Sequence, residues 1–222
     1  STQMILSNGA MLFQIIFPYA LLVLYDRFLN PDHDPSKSLQ ILFIMLPLAF
    51  SLSMGTMITI MLAEEKEKKN LKTLFLSGIH SAEYLISILF YPIILGCITI
   101  VSFPLILNVN LSNHLVEYVV VMISVAVCVI LVNLLVGAVT DTQAKAQVNG
   151  VIPMMAVAFL PMFSQFSESI SKVAHYTFMG NFIDFFLDKG FTLNFQSMLV
   201  PIAWMAVLIV LNFFLLKPKA QN

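Results

Sequence analysis

Charge is what this chain has least of. Its 222 residues include 11 Lys and Arg and 12 Asp and Glu, which is 10% charged against 59% hydrophobic. Soluble domains carry about 25% charged residues, and a soluble fold of this size could not cover its surface with so few. A net charge of −1 leaves no basic excess for nucleic acid, so no nucleic-acid partner is expected. The two cysteines, Cys97 and Cys128, stand in apolar runs without a CxxC pair or a neighbouring histidine. That excludes a disulfide framework and leaves no zinc pattern. A GxxxxGK[ST] phosphate loop is absent too, so the chain is not expected to be an enzyme or to hydrolyse ATP itself.

What remains is apolar sequence in blocks. Six stretches, residues 4–25, 39–63, 84–107, 118–139, 148–165 and 198–216, contain no Asp, Glu, Lys or Arg. A bilayer core about 30 Å thick needs roughly 20 apolar residues per helix, with a range of about 17–25. The runs lack the alternation and short turns of an outer-membrane barrel. The predicted fold is therefore an all-α integral membrane protein, a single transmembrane domain over residues 1–222 with six spans. Pro153 and Pro161 fall inside the fifth and shortest run, where they would kink it.

Orientation follows from the basic residues. With the N-terminus inside, Lys66, Lys68, Lys69, Lys72, Lys145, Lys217 and Lys219 are cytoplasmic, against Arg27, Lys37, Lys172 and Lys189 outside. The bias places both termini in the cytoplasm. The first run has no positive lead-in or small-residue cleavage site and is expected to be retained as a helix.

The connections differ in character. Residues 26–38 hold two prolines among acidic residues and predict a solvated turn, and residues 108–114 predict a short polar link. Residues 140–147 read as a loop. The segment 167–197 is too long for a turn and too apolar for a linker. Within it Tyr176, Met179, Phe182, Ile183, Phe186 and Leu187 recur at spacings of three and four, which predicts one interfacial or re-entrant amphipathic helix ended by Gly190. It is either a membrane anchor or an outer gate formed by Tyr176, Met179, Phe182 and Phe186.

Inside the spans there is no Asp, Glu, His, Lys or Arg on which an ion-driven carrier, a hydrolase or a transferase would depend. Ser51, Gly55, Thr59 and Ala63 lie four residues apart, a stripe of small side chains suited either to packing within the chain or to a dimer seam. Asn8, Gln14, Ser53, Thr56, Asn133 and Gln165 are candidates to line a polar route or to bond neighbouring helices.

The densest charge follows the second run, in Glu64-Glu65-Lys66-Glu67-Lys68-Lys69. Asn70 can then cap a short helix on which Leu71, Leu74 and Phe75 share a face, stopped at Ser77-Gly78. The segment from Glu65 to Ile79 resembles the E-R-E-K-G-T-L-E-x-L-L-x-S-P signature of ABC transporter permeases of the ABC-2 type. Glu65, Lys66, Glu67, Lys68, Leu71, Leu74, Phe75 and Ser77 match or substitute conservatively. Lys69, Asn70, Lys72 and Gly78 depart from it. Asn149-Gly150-Val151-Ile152-Pro153 and Leu160-Pro161 are similar to that family's fifth helix.

The resemblance implies the six-span membrane subunit of an exporter, with a short cytoplasmic coupling helix between spans 2 and 3. It implies an ATPase-coupling interface at Glu65, Lys66, Glu67, Leu71, Leu74, Phe75 and Ser77. It also implies two copies of a cytoplasmic ABC ATPase subunit, which hold the ATP and magnesium, and a second permease copy or a paralogous one. On that reading the chain binds no cofactor of its own. It sits in the cell membrane of a bacterium and moves a hydrophobic or amphipathic solute (peptide, toxin or drug) outward. A non-transporting scaffold or sensor subunit is the other reading, and an ion-driven carrier the third.

Overall fold

The computed structural model describes residues 9–68, 81–188 and 191–216, and every regular element among them is helical. In chain order these are α1 (Gly9–Leu29), α2 (Pro35–Ala49), a π-helical segment (Phe50–Thr56), α3 (Met57–Glu67), α4 (Ser81–Ile106), α5 (Leu115–Val139), α6 (Gln143–Asn149), α7 (Val151–Ser164), α8 (Glu168–His175), α9 (Gly180–Leu187) and α10 (Phe195–Leu216). Six helices are long and apolar enough to cross a membrane: Met11–Leu29, Pro35–Glu67, Glu83–Ile106, Leu115–Val139, Gln143–Ser164 and Phe195–Leu216. All six predicted spans are present, with different limits.

The second span differs most from its predicted range. Helix α2, the π segment and α3 run without a break for 33 residues, which at 1.5 Å per residue is roughly 50 Å. That exceeds the hydrocarbon core, so the helix carries its charged end, Glu64 to Glu67, clear of it. Its start is also earlier than predicted. The expected solvated turn is an ordered one, in which the fully buried Asn30 side chain donates to Ser38 Oγ at 2.9 Å and accepts from Asp34 N. Asp34 then caps α2 by accepting from Ser36 N at 2.8 Å.

The π segment is the centre of the bundle, packed against α1, α4, α5 and α7. Pro47, which has no N–H, interrupts the ladder just before it, and within the segment hydroxyls return to backbone carbonyls. Ser51 Oγ donates to Pro47 O at 2.9 Å, Ser53 Oγ to Ala49 O at 2.6 Å and Thr56 Oγ1 to Ser51 O at 2.9 Å. In hydrocarbon these local bonds are what allow an irregular turn to persist.

Two further differences have local causes. Residues 140–147 are not a loop, because Thr142 caps α6 by accepting from Lys145 N, and Gly150 joins α6 to α7 within one span. The predicted single helix around Tyr176 to Leu187 is two helices. Thr177 donates to Ala174 O at 2.7 Å and accepts from Met179 N. A Cβ on Gly180 would lie 2.6 Å from His175 O, so the chain turns back at a point only glycine allows. Gly190 lies outside the described residues.

Candidate functional site

The charged end of α3 is tied to the ends of two other spans. Lys66 Nζ donates to Gly137 O at 3.1 Å, to Ala138 O and to Thr140 O at 3.3 Å, which are the last carbonyls of α5 and the residue after it. A helix C-terminus carries unsatisfied carbonyls and partial negative charge, so a half-buried ammonium there serves both needs. Glu67 Oε2 accepts from Gln143 N at 2.8 Å, at the first residue of α6, where free N–H groups favour an anion. Lys66 therefore clamps the fourth span, and Glu67 the start of the fifth. Glu64 is buried and holds Lys68 through a salt bridge one helical turn on.

Close backbone approach makes these bonds reachable. Gly137 of α5 lies against Leu62 and the Thr59 backbone of α3, where a Cβ would sit 3.0 Å from a Leu62 methyl. Deeper in the bundle, Thr59 Oγ1 donates either to Asn133 O, at 3.1 Å, or to Asn133 Oδ1, at 3.0 Å, while Asn133 Nδ2 donates to Val129 O at 2.9 Å. A Cβ on Gly55 would lie 2.5 Å from Asn133 Nδ2. The small-residue stripe Ser51, Gly55, Thr59 and Ala63 is buried throughout, with Gly55 and Thr59 against α5.

Of the residues expected to couple to an ATPase, Glu65, Lys66 and Glu67 stand on α3. Leu71, Leu74, Phe75 and Ser77 lie outside the described residues. Sequence reasoning missed the partners Gly137, Ala138, Thr140 and Gln143. The one local signal for them was the capping pattern Thr142-Gln-Ala-Lys145.

At the opposite end of the bundle the candidate gate residues separate. Phe182 and Met179 are buried, with Phe182 stacked on Phe43 of α2 at 5.5 Å and Phe186 edge-on to Phe43 at 5.7 Å. Tyr176 is 77% exposed, and its carbonyl accepts from Trp204 Nε1 of α10 at 2.8 Å. So α9 is clasped between α2, α5 and α10, while α8 packs against α7. His175 Nδ1 lies 3.2 Å from Asp184 Oδ2 and pins the two short helices together. Burial pushes the Asp184 carboxyl above the ordinary carboxylate range, with His175 partly offsetting it.

Among the polar residues of the spans, Gln14 and Thr56 line a cavity of about 310 Å³ together with Leu52, Gln147 and Met154. It opens between spans 1, 2 and 5, and Gln14 Oε1 is buried there with no hydrogen-bond partner among the described residues. Ser53 and Asn133 are instead satisfied by neighbouring backbone, and Asn8 lies outside the described residues.

The family model described as ABC-2 family transporter protein matches residues 7–216. The chain belongs to that family. No curated protein and no solved structure matches it. As an ABC-2 family member it is a multi-pass membrane permease subunit of an ABC transporter, and the family implies an ABC ATPase as its partner.

Proposed function

We propose that this permease moves a hydrophobic or amphipathic solute, such as a peptide, toxin or drug, out of the cell across the membrane of a bacterium. Both termini are cytoplasmic, and the chain pairs with a second copy or a paralogous permease above two ATPase subunits that bind ATP and magnesium. The observation that carries the reading is the double tie at α3, Lys66 to the end of α5 and Glu67 to the start of α6. A push on the segment after Glu67 would reach spans 2, 4 and 5 at once, because charged hydrogen bonds are stiff, directional links. Spans 1, 2 and 5 border the cavity holding the unpartnered Gln14 Oε1. A solute with a hydrogen-bond donor and an apolar body suits that lining. The segment at α8 and α9 closes the outer end.

The test is reconstitution of the chain with its ATPase, measuring ATP hydrolysis and efflux for the parent, Glu67→Ala and Leu74→Asp. Both variants are expected to hydrolyse ATP with efflux reduced at least about tenfold, a loss of roughly 1.4 kcal/mol of coupling. Parent-like coupling in both would overturn the interface. Failure of any ATPase to associate would favour a scaffold or sensor subunit.

A further inference from the structure

The cavity of about 310 Å³ that holds Gln14 Oε1 has a neighbour of about 330 Å³ walled by the same three spans, 1, 2 and 5. On each helix the lining of one cavity follows that of the other after about one turn: Gln14 then Phe17 on α1, Leu52 then Leu48 on the central span, Met154 then Ala158 on α7. Phe13 borders the first cavity and Phe17 the second, and their rings stack at 4.8 Å, so the α1 wall runs unbroken between the two. Both α1 and α7 pack on α2 and the π segment, which makes the central span the floor. From Phe13 to Tyr25 this lining extends roughly 18 Å along α1. Its polarity is lopsided. At the end nearer Glu64 stand Gln14 and Gln147, while Thr56 spends its hydroxyl on Ser51 O. From Phe17 onward the lining is aliphatic, aromatic and methionine as far as Tyr25. Among the described residues no charged side chain borders either cavity.

We infer that the two cavities form one furrow for a neutral single-chain amphiphile, with a hydroxyl or amide donor of its head on Gln14 Oε1 and its unbranched tail along the apolar half toward Tyr25. A buried acceptor without a partner is costly, and a donor on the occupant restores the missing bond. An uncharged lining disfavours an ionic head, which would leave water with nothing to pair it. Met45 and Met162 in the apolar half adapt to a flexible tail. Gln147 is exposed at the polar end, so that end lies toward water. An amphiphile resting in the adjoining leaflet therefore enters between spans 1 and 5 with head and tail already aligned to the furrow. The inference rests on the reading of the Gln14 cavity as the solute's site and narrows the solute to this class.

Native mass spectrometry of the full chain in a mild detergent, without its ATPase, tests it with three compounds that share a tetradecanoyl tail: the monoglyceride, the methyl ester and the lysophosphatidylglycerol. The parent is expected to retain the monoglyceride about threefold to tenfold over the methyl ester, which has no donor, and over the anionic lysophosphatidylglycerol. Gln14→Leu should remove the preference over the methyl ester and leave retention of the ester itself unchanged. Leu21→Trp, which fills the apolar half two turns from Gln14, should lower retention of monoglyceride and ester alike, with both variants compared at matched melting temperature. Equal retention of monoglyceride and ester by the parent, or an unchanged preference in Gln14→Leu, overturns the site. Preferential retention of the lysophosphatidylglycerol overturns it in favour of the bilayer's own lipids, and a dimer that excludes all three overturns it in favour of a second copy. Retention is read without ATP, so failure of the site leaves the permease reading intact, and failure of efflux leaves the site intact.

Discussion

The second and last spans are similar in hydropathy and opposite in position. The helix Pro35–Glu67 has a mean hydropathy of 2.1 and Phe195–Leu216 one of 2.5, yet 83% of the first window is buried inside the chain against 17% of the second. Hydropathy reports only that both enter lipid. What separates them is side-chain size and bonding. The buried helix carries Ser51, Ser53, Gly55, Thr56 and Thr59, which let neighbours approach and return their hydroxyls to backbone carbonyls. The outer helix carries Ile209, Val210, Phe213 and Phe214, bulky and exposed, with Asn212 as its polar tether, donating to Leu131 O at 2.9 Å. Within a bilayer, burial of apolar area no longer drives helices together, so close packing and hydrogen bonds decide which helix is central.

The contrast is broken most forcefully at Gly55. Gly55→Leu drives a side chain into Asn133, whose amide is anchored by Val129 and Thr59, so the neighbour cannot yield. A loss of about 2–3 kcal/mol is expected in thermal unfolding of the detergent-solubilised chain. Ile209→Leu on the exposed helix should change the same measurement by less than about 0.5 kcal/mol. Equal effects at the two sites would erase the distinction between central and peripheral spans.

A smaller effect is expected where the central helix leaves the bundle. Lys66→Ala uncovers the carbonyls of Gly137, Ala138 and Thr140 and should cost about 1–2 kcal/mol, visible as faster hydrogen exchange at the end of α5. Lys66→Arg should restore most of the protection. Exchange that spreads instead to α10 would show that the clamp is not local.

The smallest effect concerns the clasp at the other end. Asp184 has a carboxyl raised above its ordinary value of 3.8, first by burial. A group whose folded pKa exceeds its unfolded one contributes stability that is complete below the unfolded value and is lost as pH rises through the folded value. Protection of the amides between α8 and α9 should therefore fall as pH climbs upward from about 3.8, through the raised carboxyl value. Asp184→Asn keeps an oxygen for His175 Nδ1 and should flatten that profile with slightly greater protection at neutral pH. A profile unchanged by the substitution would remove Asp184 as its source.

The six spans and their charge-free character were legible in the sequence, because a lipid core demands long uninterrupted apolar runs whatever the partners are. So was the dense charge from Glu65 to Glu67, which stands out in a charge-poor chain, though the partners that Lys66 and Glu67 find on α5 and α6 were not. The break at Gly180 was not, since spacings of three and four persist across Tyr176 to Leu187 whether or not the backbone turns back on His175 O. Nor was the helix at Gln143–Asn149, which hangs on a single capping threonine.

Composition and periodicity by themselves determined that this chain crosses a membrane six times and keeps its charges at the ends. Only the tertiary structure decided that the second span is the hub, that Lys66 and Glu67 bond the fourth and fifth spans, and that Phe182 and Phe186 pack on Phe43. The reason is physical. Residence in lipid is a property of each segment with its solvent, whereas a hydrogen bond from Lys66 to Gly137, 71 residues away, exists only once two helices have packed.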